Sequence, residues 1–204
     1  MYQSPKFKAK NQQEVLDLMH QNPFVTLIGH NGEFPVATQL PVQIDTDADG
    51  RLVLSGHMMK HSDHYQAFLI YPNVLALFTG PHTYVSASVY KDPAAASTWN
   101  YMTVHAKGKI QILDEQATYE AIKRLTNQHE DPQTSPAAFH KMTDSYIQKN
   151  LQGIAAFEIE VEQLDHVFKL SQNHKKENQE AIIEDLKQRD NPDSAQIAQA
   201  MEGI

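Results

Sequence analysis

Three short stretches concentrate aromatic, amide, hydroxyl and basic side chains in segments that otherwise read as strands: residues 80–86, 98–105 and 169–173. Strands built for stability alone favour β-branched and apolar residues on the covered face. A covered amide or imidazole costs free energy unless it finds a partner. Segments carrying Tyr84, Trp99, Asn100, Gln172 and Asn173 therefore suit a planar, polar ligand, with a set of edge strands and turns as the plainer alternative.

A second chemical cluster sits where a strand feeds a helix. His57, Lys60, His61 and Ser62 lie at this junction, and the free amides of a first helical turn together with a nearby cation favour an anion such as phosphate. The same stretch carries His57, His61 and His64 in an H-x3-H-x2-H spacing, a pattern compatible with zinc or iron. With eleven histidines in the chain, such clusters arise by chance, and no metal site is assigned. The Asp45, Asp47, Asp49, Gly50 run opens like a calcium loop, yet position twelve is Gly56 where a bidentate Glu is required. It reads as a polar hairpin turn. Neither a dinucleotide glycine fingerprint nor a phosphate-binding Walker loop is present, and no Gly-x-Ser-x-Gly elbow accompanies Ser86, Ser88 or Ser171. No catalytic residue set is identifiable. Glu158, Glu160 and Glu162 are the wet face of a strand.

The elements that must position these groups follow from periodicity. Asn11 to Glu14 has capping-box spacing before Val15, Leu16 and Met19, predicting a helix that ends at Asn22-Pro23. Strands are expected over 24–29 and 34–44 around an Asn31-Gly32 turn, then over 51–56. Ser62 or Asp63 caps a helix running to Tyr71. The continuously apolar 74–78 segment reads as a strand covered on both faces, one of them available to a partner subunit. Further strands are expected over 82–90 and 98–113. Asp114 caps the next helix, and Ser135-Pro136 opens another with proline at its first position. Phe157, Ile159 and Val161 alternate with three glutamates, and Asp165 is expected to turn that strand into the one carrying Lys169. Polar helices follow, broken at Asn191-Pro192. The sum is an α+β fold: an antiparallel barrel of six or seven strands with peripheral helices and a helical C-terminal tail.

At 204 residues the chain can bury most of a real core. The absence of cysteine removes disulfides, thiolate nucleophiles and Cys-ligated clusters and suits a reducing cytoplasm. The longest apolar run is far too short to span a bilayer, and the N-terminus lacks a signal-peptide layout. A formal net charge of −8 argues against a broad electrostatic grip on DNA. Lys6, Lys8 and Lys10 form a small basic cluster, as do His174, Lys175 and Lys176; both read as solvated faces.

The chain resembles the PaiB-type FMN-binding negative transcriptional regulators, whose fold is the FMN-binding split barrel. The likeness runs through Met1-Tyr2 with Pro5 and Phe7, Pro23-Phe24, the 37–41 run Ala-Thr-Gln-Leu-Pro, Gly56-His57, the 80–86 run Gly-Pro-His-Thr-Tyr-Val-Ser, Thr98-Trp99-Asn100-Tyr101, Val104-His105 with Gly108, His129-Glu130, and Lys169-Leu170-Ser171-Gln172-Asn173. Departures occur at Ala87, Val89 and Ser97, where the family usually has Pro, Trp and Pro, across residues 58–62, and at His174, where Arg is common. These changes bear on the phosphate grip and the pocket wall. The resemblance implies a split-barrel domain over 1–173, with residues 174–204 as a helical extension packed on the barrel or a partner subunit. It also implies a cytoplasmic homodimer with FMN in a cleft between subunits. Lys60, His61 and Ser62, beside His57, would hold the phosphate. Thr38 and Thr98 would lie near the ring or ribityl chain, Trp99, Tyr84 and Tyr101 would flank the planar ring or pack beside it, and Asn100 would belong to the same pocket. Lys169, Ser171, Gln172 and Asn173 would complete the pocket. Function is then that of a flavin-binding regulator. The alternatives are a flavin-dependent oxidoreductase of the same fold and a haem-binding relative using His57 or His82. DNA is a partner by resemblance only.

Overall fold

The computed structural model of the chain describes residues 1–2 and 4–203. It is an α+β fold containing one seven-stranded antiparallel sheet. In chain order the elements are α1 (Gln12–Gln21), β1 (Phe24–His30), β2 (Pro35–Pro41), β3 (Gln43–Thr46), β4 (Leu52–Met59), α2 (Asp63–Ile70), β5 (Asn73–Val85), β6 (Thr98–Ile112), α3 (Glu115–His129), α4 (Asp144–Leu151), β7 (Ile154–Lys169), α5 (Lys176–Lys187) and α6 (Pro192–Glu202). The chain forms two compact units. One comprises Met1–Asn22, Phe78–His105 and Leu164–Ile204; the other comprises Pro23–Leu77 and Ala106–Gln163.

All seven strands contribute residues to the second unit, in the order β2-β1-β5-β6-β7-β4-β3. β2 and β3 stand at opposite ends of that order, yet only Val42 separates them in sequence. Six inter-strand spacings of about 4.8 Å cannot be crossed by one residue reaching about 3.5 Å. The sheet therefore curls until its ends meet, which makes a barrel. Gly56 on β4 marks the seam: a Cβ there would stand 3.0 Å from the Pro41 carbonyl oxygen and 2.7 Å from the Phe157 ring. The interior is filled by Val25, Leu27, Leu54, Ala76, Phe157 and Ile159, all buried. A separate cluster in the same unit packs Phe139, Ile147 and Leu151 with Tyr119 and Ile122.

In the first unit the core comprises Met19 of α1, Val85 of β5, Val104 of β6, Val167 of β7, Ile182 and Leu186 of α5, and Ile197 and Ala198 of α6. Helix starts follow the capping rules: Asn11, Ser62, Asp114, Thr143 and Asn191 each accept a backbone N–H from three residues on.

Several expected boundaries move. The 34–44 strand splits at Val42, because its two halves pair at opposite ends of the sheet, β2 with β1 and β3 with β4. The 51–56 strand continues to Met59 through pairing with β7, so His57 sits within a strand and not in the helix junction. The expected 74–78 and 82–90 strands form one strand, β5, which stops at Val85 before a 3-10 turn over Ala87–Val89, and in which the alternation of burial shifts by one residue at Gly80-Pro81. Asp165 turns nothing; β7 runs unbroken to Lys169, since an isolated Asp without Gly, Pro or Asn beside it does not end a strand flanked by Val167 and Phe168. No helix opens at Ser135-Pro136. The Ser135 hydroxyl bonds the Glu130 carboxylate and accepts the Ala137 N–H, holding a turn. The helix comes later as α4, whose Ile147 and Leu151 are buried one turn apart.

Candidate functional site

The expected site residues fall into two groups, one in each unit. In the first unit β6 begins at Thr98 just where β7 ends at Lys169. The Lys169 ammonium donates to the Thr98 hydroxyl and, at 2.8 Å, to the Trp99 carbonyl oxygen. Burial holds its pKa below the ordinary lysine value. Beside it the Trp99 indole is 53% exposed, meeting Tyr84 edge-on at 6.0 Å and His82 at 6.3 Å between ring centroids. Tyr84 is itself 44% exposed. Two large aromatic rings left half in water beside a cation form a surface suited to a flat, polar ring.

Directly after β7 the chain turns sharply. Ser171 adopts φ +61°, a left-handed conformation that a non-glycine residue holds only when its surroundings fix it. Its hydroxyl donates to Asn100 Oδ1 at 3.1 Å, and Asn100 Nδ2 donates to Met201 Sδ at 3.5 Å. Asn100 is fully buried and Ser171 nearly so. Gln172 closes the turn on itself, accepting the Leu170 N–H at 2.8 Å and donating to the Phe168 carbonyl. Asn173 is exposed. The amide and hydroxyl groups of Asn100, Ser171 and Gln172 thus build the turn that follows Lys169.

The second group begins on β4. His57 is partly buried, and burial depresses its imidazole pKa, favouring the neutral ring. Lys60 follows the strand end; its ammonium donates to the carbonyl of Leu151, the last residue of α4, at 3.2 Å, which leaves two N–H donors. His61 is exposed. Ser62 caps α2, accepting the Tyr65 N–H at 3.3 Å and donating to the Met59 carbonyl at 2.7 Å. His64 Nε2 stands 3.1 Å from that hydroxyl. Thr38, on β2 opposite Leu27, is partly exposed. Among the described residues no group of three or more His, Cys, Asp or Glu side chains is arranged to hold a metal ion, and no helix is long and apolar enough to cross a membrane.

Sequence reasoning missed Arg189, between α5 and α6. Its guanidinium donates to the Tyr84 carbonyl at 2.7 Å and to Thr83 Oγ1 at 3.3 Å while pairing with Asp185. It fixes the strand that presents Tyr84. Nothing in its local sequence signals that role.

A family model described as "Putative FMN-binding domain" matches residues 1–163. The "Protease synthase and sporulation protein PAI 2" of Bacillus subtilis is 31% identical over 202 residues, covering 99% of this chain and 97% of that protein. Among solved structures, an FAD and haem binding protein from Mycobacterium smegmatis superposes with a TM-score of 0.59 at 16% identity, over 79% of this chain and 72% of that one. The flavocytochrome Anf3 from Azotobacter vinelandii gives 0.58 at 12% identity, over 81% and 74%. At such identities these two likenesses concern the fold, and the split-barrel expectation holds. With a family model spanning most of its length and a relative aligned almost end to end, the chain belongs to the FMN-binding domain family and is a homologue of PaiB.

Proposed function

We propose that this chain is a flavin-responsive regulator of the PaiB type: a cytoplasmic homodimer that binds FMN and passes its occupancy to a macromolecular partner. The observation that carries the reading is the Lys169 ammonium, held against Thr98 and the Trp99 carbonyl beside an indole left 53% exposed. A protein stabilised by its core alone gains nothing from exposing that ring. The donor chemistry fits an isoalloxazine: Lys169 and Thr98 offer N–H and O–H groups to its polar edge, and Trp99 and Tyr84 offer faces and edges to its plane. Asn100, Ser171 and Gln172 hold the turn behind Lys169, and the exposed Asn173 lies next to it. For the phosphate, the proposed holders are Lys60, with two N–H donors to spare, the exposed His61, and Ser62 at the start of α2. His57 and Thr38 are the proposed flanking residues. A homodimer can supply the two groups from different protomers.

When bound, FMN supplies a ring able to carry one or two electrons. The residues bind and orient it, and the partly desolvated Lys169 favours any negative charge that develops beside it. Direct recognition of DNA finds no support in a net charge of −8, so the proposed partner is a protein.

The test is the visible spectrum of the purified protein before and after adding FMN, and separately haem, with free ligand removed by gel filtration. Two retained flavin bands support the reading. A retained Soret band without flavin, or no retained ligand, overturns it. Binding to promoter DNA with a steep salt dependence would overturn the choice of a protein partner.

A further inference from the structure

We propose that the first unit carries a second ligand site, for an amphipathic anion: an apolar tail or ring ending in a carboxylate or phosphate. The unit contains a cavity of about 490 Å³, within the roughly 300–1,000 Å³ of small-molecule pockets. Its floor is apolar, formed by Leu18 of α1, Met102 of β6, Phe168 of β7 and Leu170 just after it. Its rim carries Lys6, Lys8 and Lys10, the cluster that reads from sequence as a solvated face. Of the residues expected around the flavin, it touches Gln172 alone.

Charge fits that ligand. Two carboxylates also line the cavity, and both are engaged by uncharged donors: Glu14 accepts the Lys10 backbone N–H at 2.7 Å, and Asp17 accepts the Gln13 side-chain amide at 2.7 Å. The Lys8 ammonium spends one N–H on the His166 carbonyl at 3.2 Å, keeping two. Among the described residues, no carboxylate lies within ion-pairing distance of the Lys6 or Lys10 ammonium. A rim with three cations against two committed carboxylates is locally positive on a chain of net charge −8, and a concave site of that sign draws anions. The floor sets the other half of the chemistry, because a small hydrophilic anion would leave it in water while a tail or ring covers it.

The probes are dodecanoate and dodecyl phosphate, titrated calorimetrically into the full-length protein with and without saturating FMN. Both are expected to bind, with FMN not displacing them. Replacing all three rim lysines (Lys6→Gln, Lys8→Gln, Lys10→Gln) should weaken binding about tenfold or more, given the strength of charge-assisted contacts. Filling the cavity from α6 by Ala200→Phe should abolish binding while circular dichroism and FMN retention stay unchanged. Tighter binding of one headgroup identifies the source class. The proposal is overturned if neither probe binds, if dodecyltrimethylammonium binds as well as dodecanoate, if the lysine variant binds undiminished, or if FMN competes for the site.

Discussion

Ser171 and Asn100 are 71 positions apart in the chain, yet the Ser171 hydroxyl donates to the Asn100 carboxamide oxygen at 3.1 Å with both residues buried. The bond ties the turn after β7 to the start of β6, the two elements that bring Lys169 to Thr98 and Trp99. It also explains how Ser171 keeps a φ of +61°. A left-handed residue needs an external constraint, and here that constraint is a side chain at the base of the candidate flavin surface.

Removing either partner costs the other a buried hydrogen bond: the Ser171 hydroxyl loses its acceptor, or Asn100 Oδ1 loses its donor. Asn100→Ala should cost about 1–3 kcal/mol, read as a lowered urea midpoint with an unchanged slope. Ser171→Gly loses the same hydrogen bond but suits the left-handed backbone, so it should destabilise less than Ser171→Ala. Equal losses from the two serine variants would show that φ contributes nothing there.

Lys169→Met removes the ammonium while keeping an unbranched stem of similar length. The flavin fraction retained through gel filtration should fall at least tenfold, since charged donors are worth about 1.5–3 kcal/mol, while the thermal midpoint stays within a few degrees. Trp99 is the single tryptophan, and under the proposed site its fluorescence reports occupancy. Its fluorescence should be quenched by FMN in the parent protein and far less in the variant at the same FMN concentration.

Much of this architecture was legible in the residues, and the failures have physical causes. The caps at Asn11 and Asp114, the alternation of Phe157 and Ile159 with glutamates, and the Asn-Gly turn are local signals, and each matches its element. The split at Val42 is not local. It exists because two halves of one extended segment find partners at opposite ends of a curled sheet, and pairing of that kind is invisible in periodicity. Similarly, Trp99, Asn100 and Lys169 stand out by residue type, but only the fold shows that Asn100 faces inward to Met201 and Ser171 while Trp99 faces water. The signal for α4 was present in Thr143 with Ile147 and Leu151 at helical spacing, and the Ser-Pro pair upstream obscured it.

Acid should weaken the fold through two histidines. His57 is depressed by burial; His166 is depressed by burial first and by the nearby Lys8 second, with Asp165 opposing. A folded-state pKa below the unfolded value of about 6.5 means that the unfolded chain takes up protons first. Stability is therefore lost as pH falls from about 6.5 toward the folded pKa values, and above about 6.5 these groups contribute no slope. Thermal midpoints between pH 5 and 8 should drop on the acid side in the parent protein. The acid slope should be shallower in His57→Gln and His166→Gln; an unchanged slope in both would remove these residues as its cause.

Gly108 and Gly153 provide a paired test of the second unit. A Cβ at Gly108, on β6, would stand 2.0 Å from the Glu160 carbonyl oxygen and 2.9 Å from its carbonyl carbon. Both atoms are backbone of the neighbouring β7, so the clash cannot be relieved by a side-chain rotation. At Gly153, just before β7, the nearest atom to an added Cβ is 3.6 Å away, and the backbone does not require a left-handed φ. Gly108→Ala must therefore push β6 from β7, with a cost of about 3 kcal/mol, the upper end for overpacking, and should lower soluble yield and the urea midpoint sharply. Gly153→Ala should leave both nearly unchanged. Because the two substitutions add the same methyl group, a similar outcome for both would mean that the β6 to β7 contact is looser than the 2.0 Å approach requires.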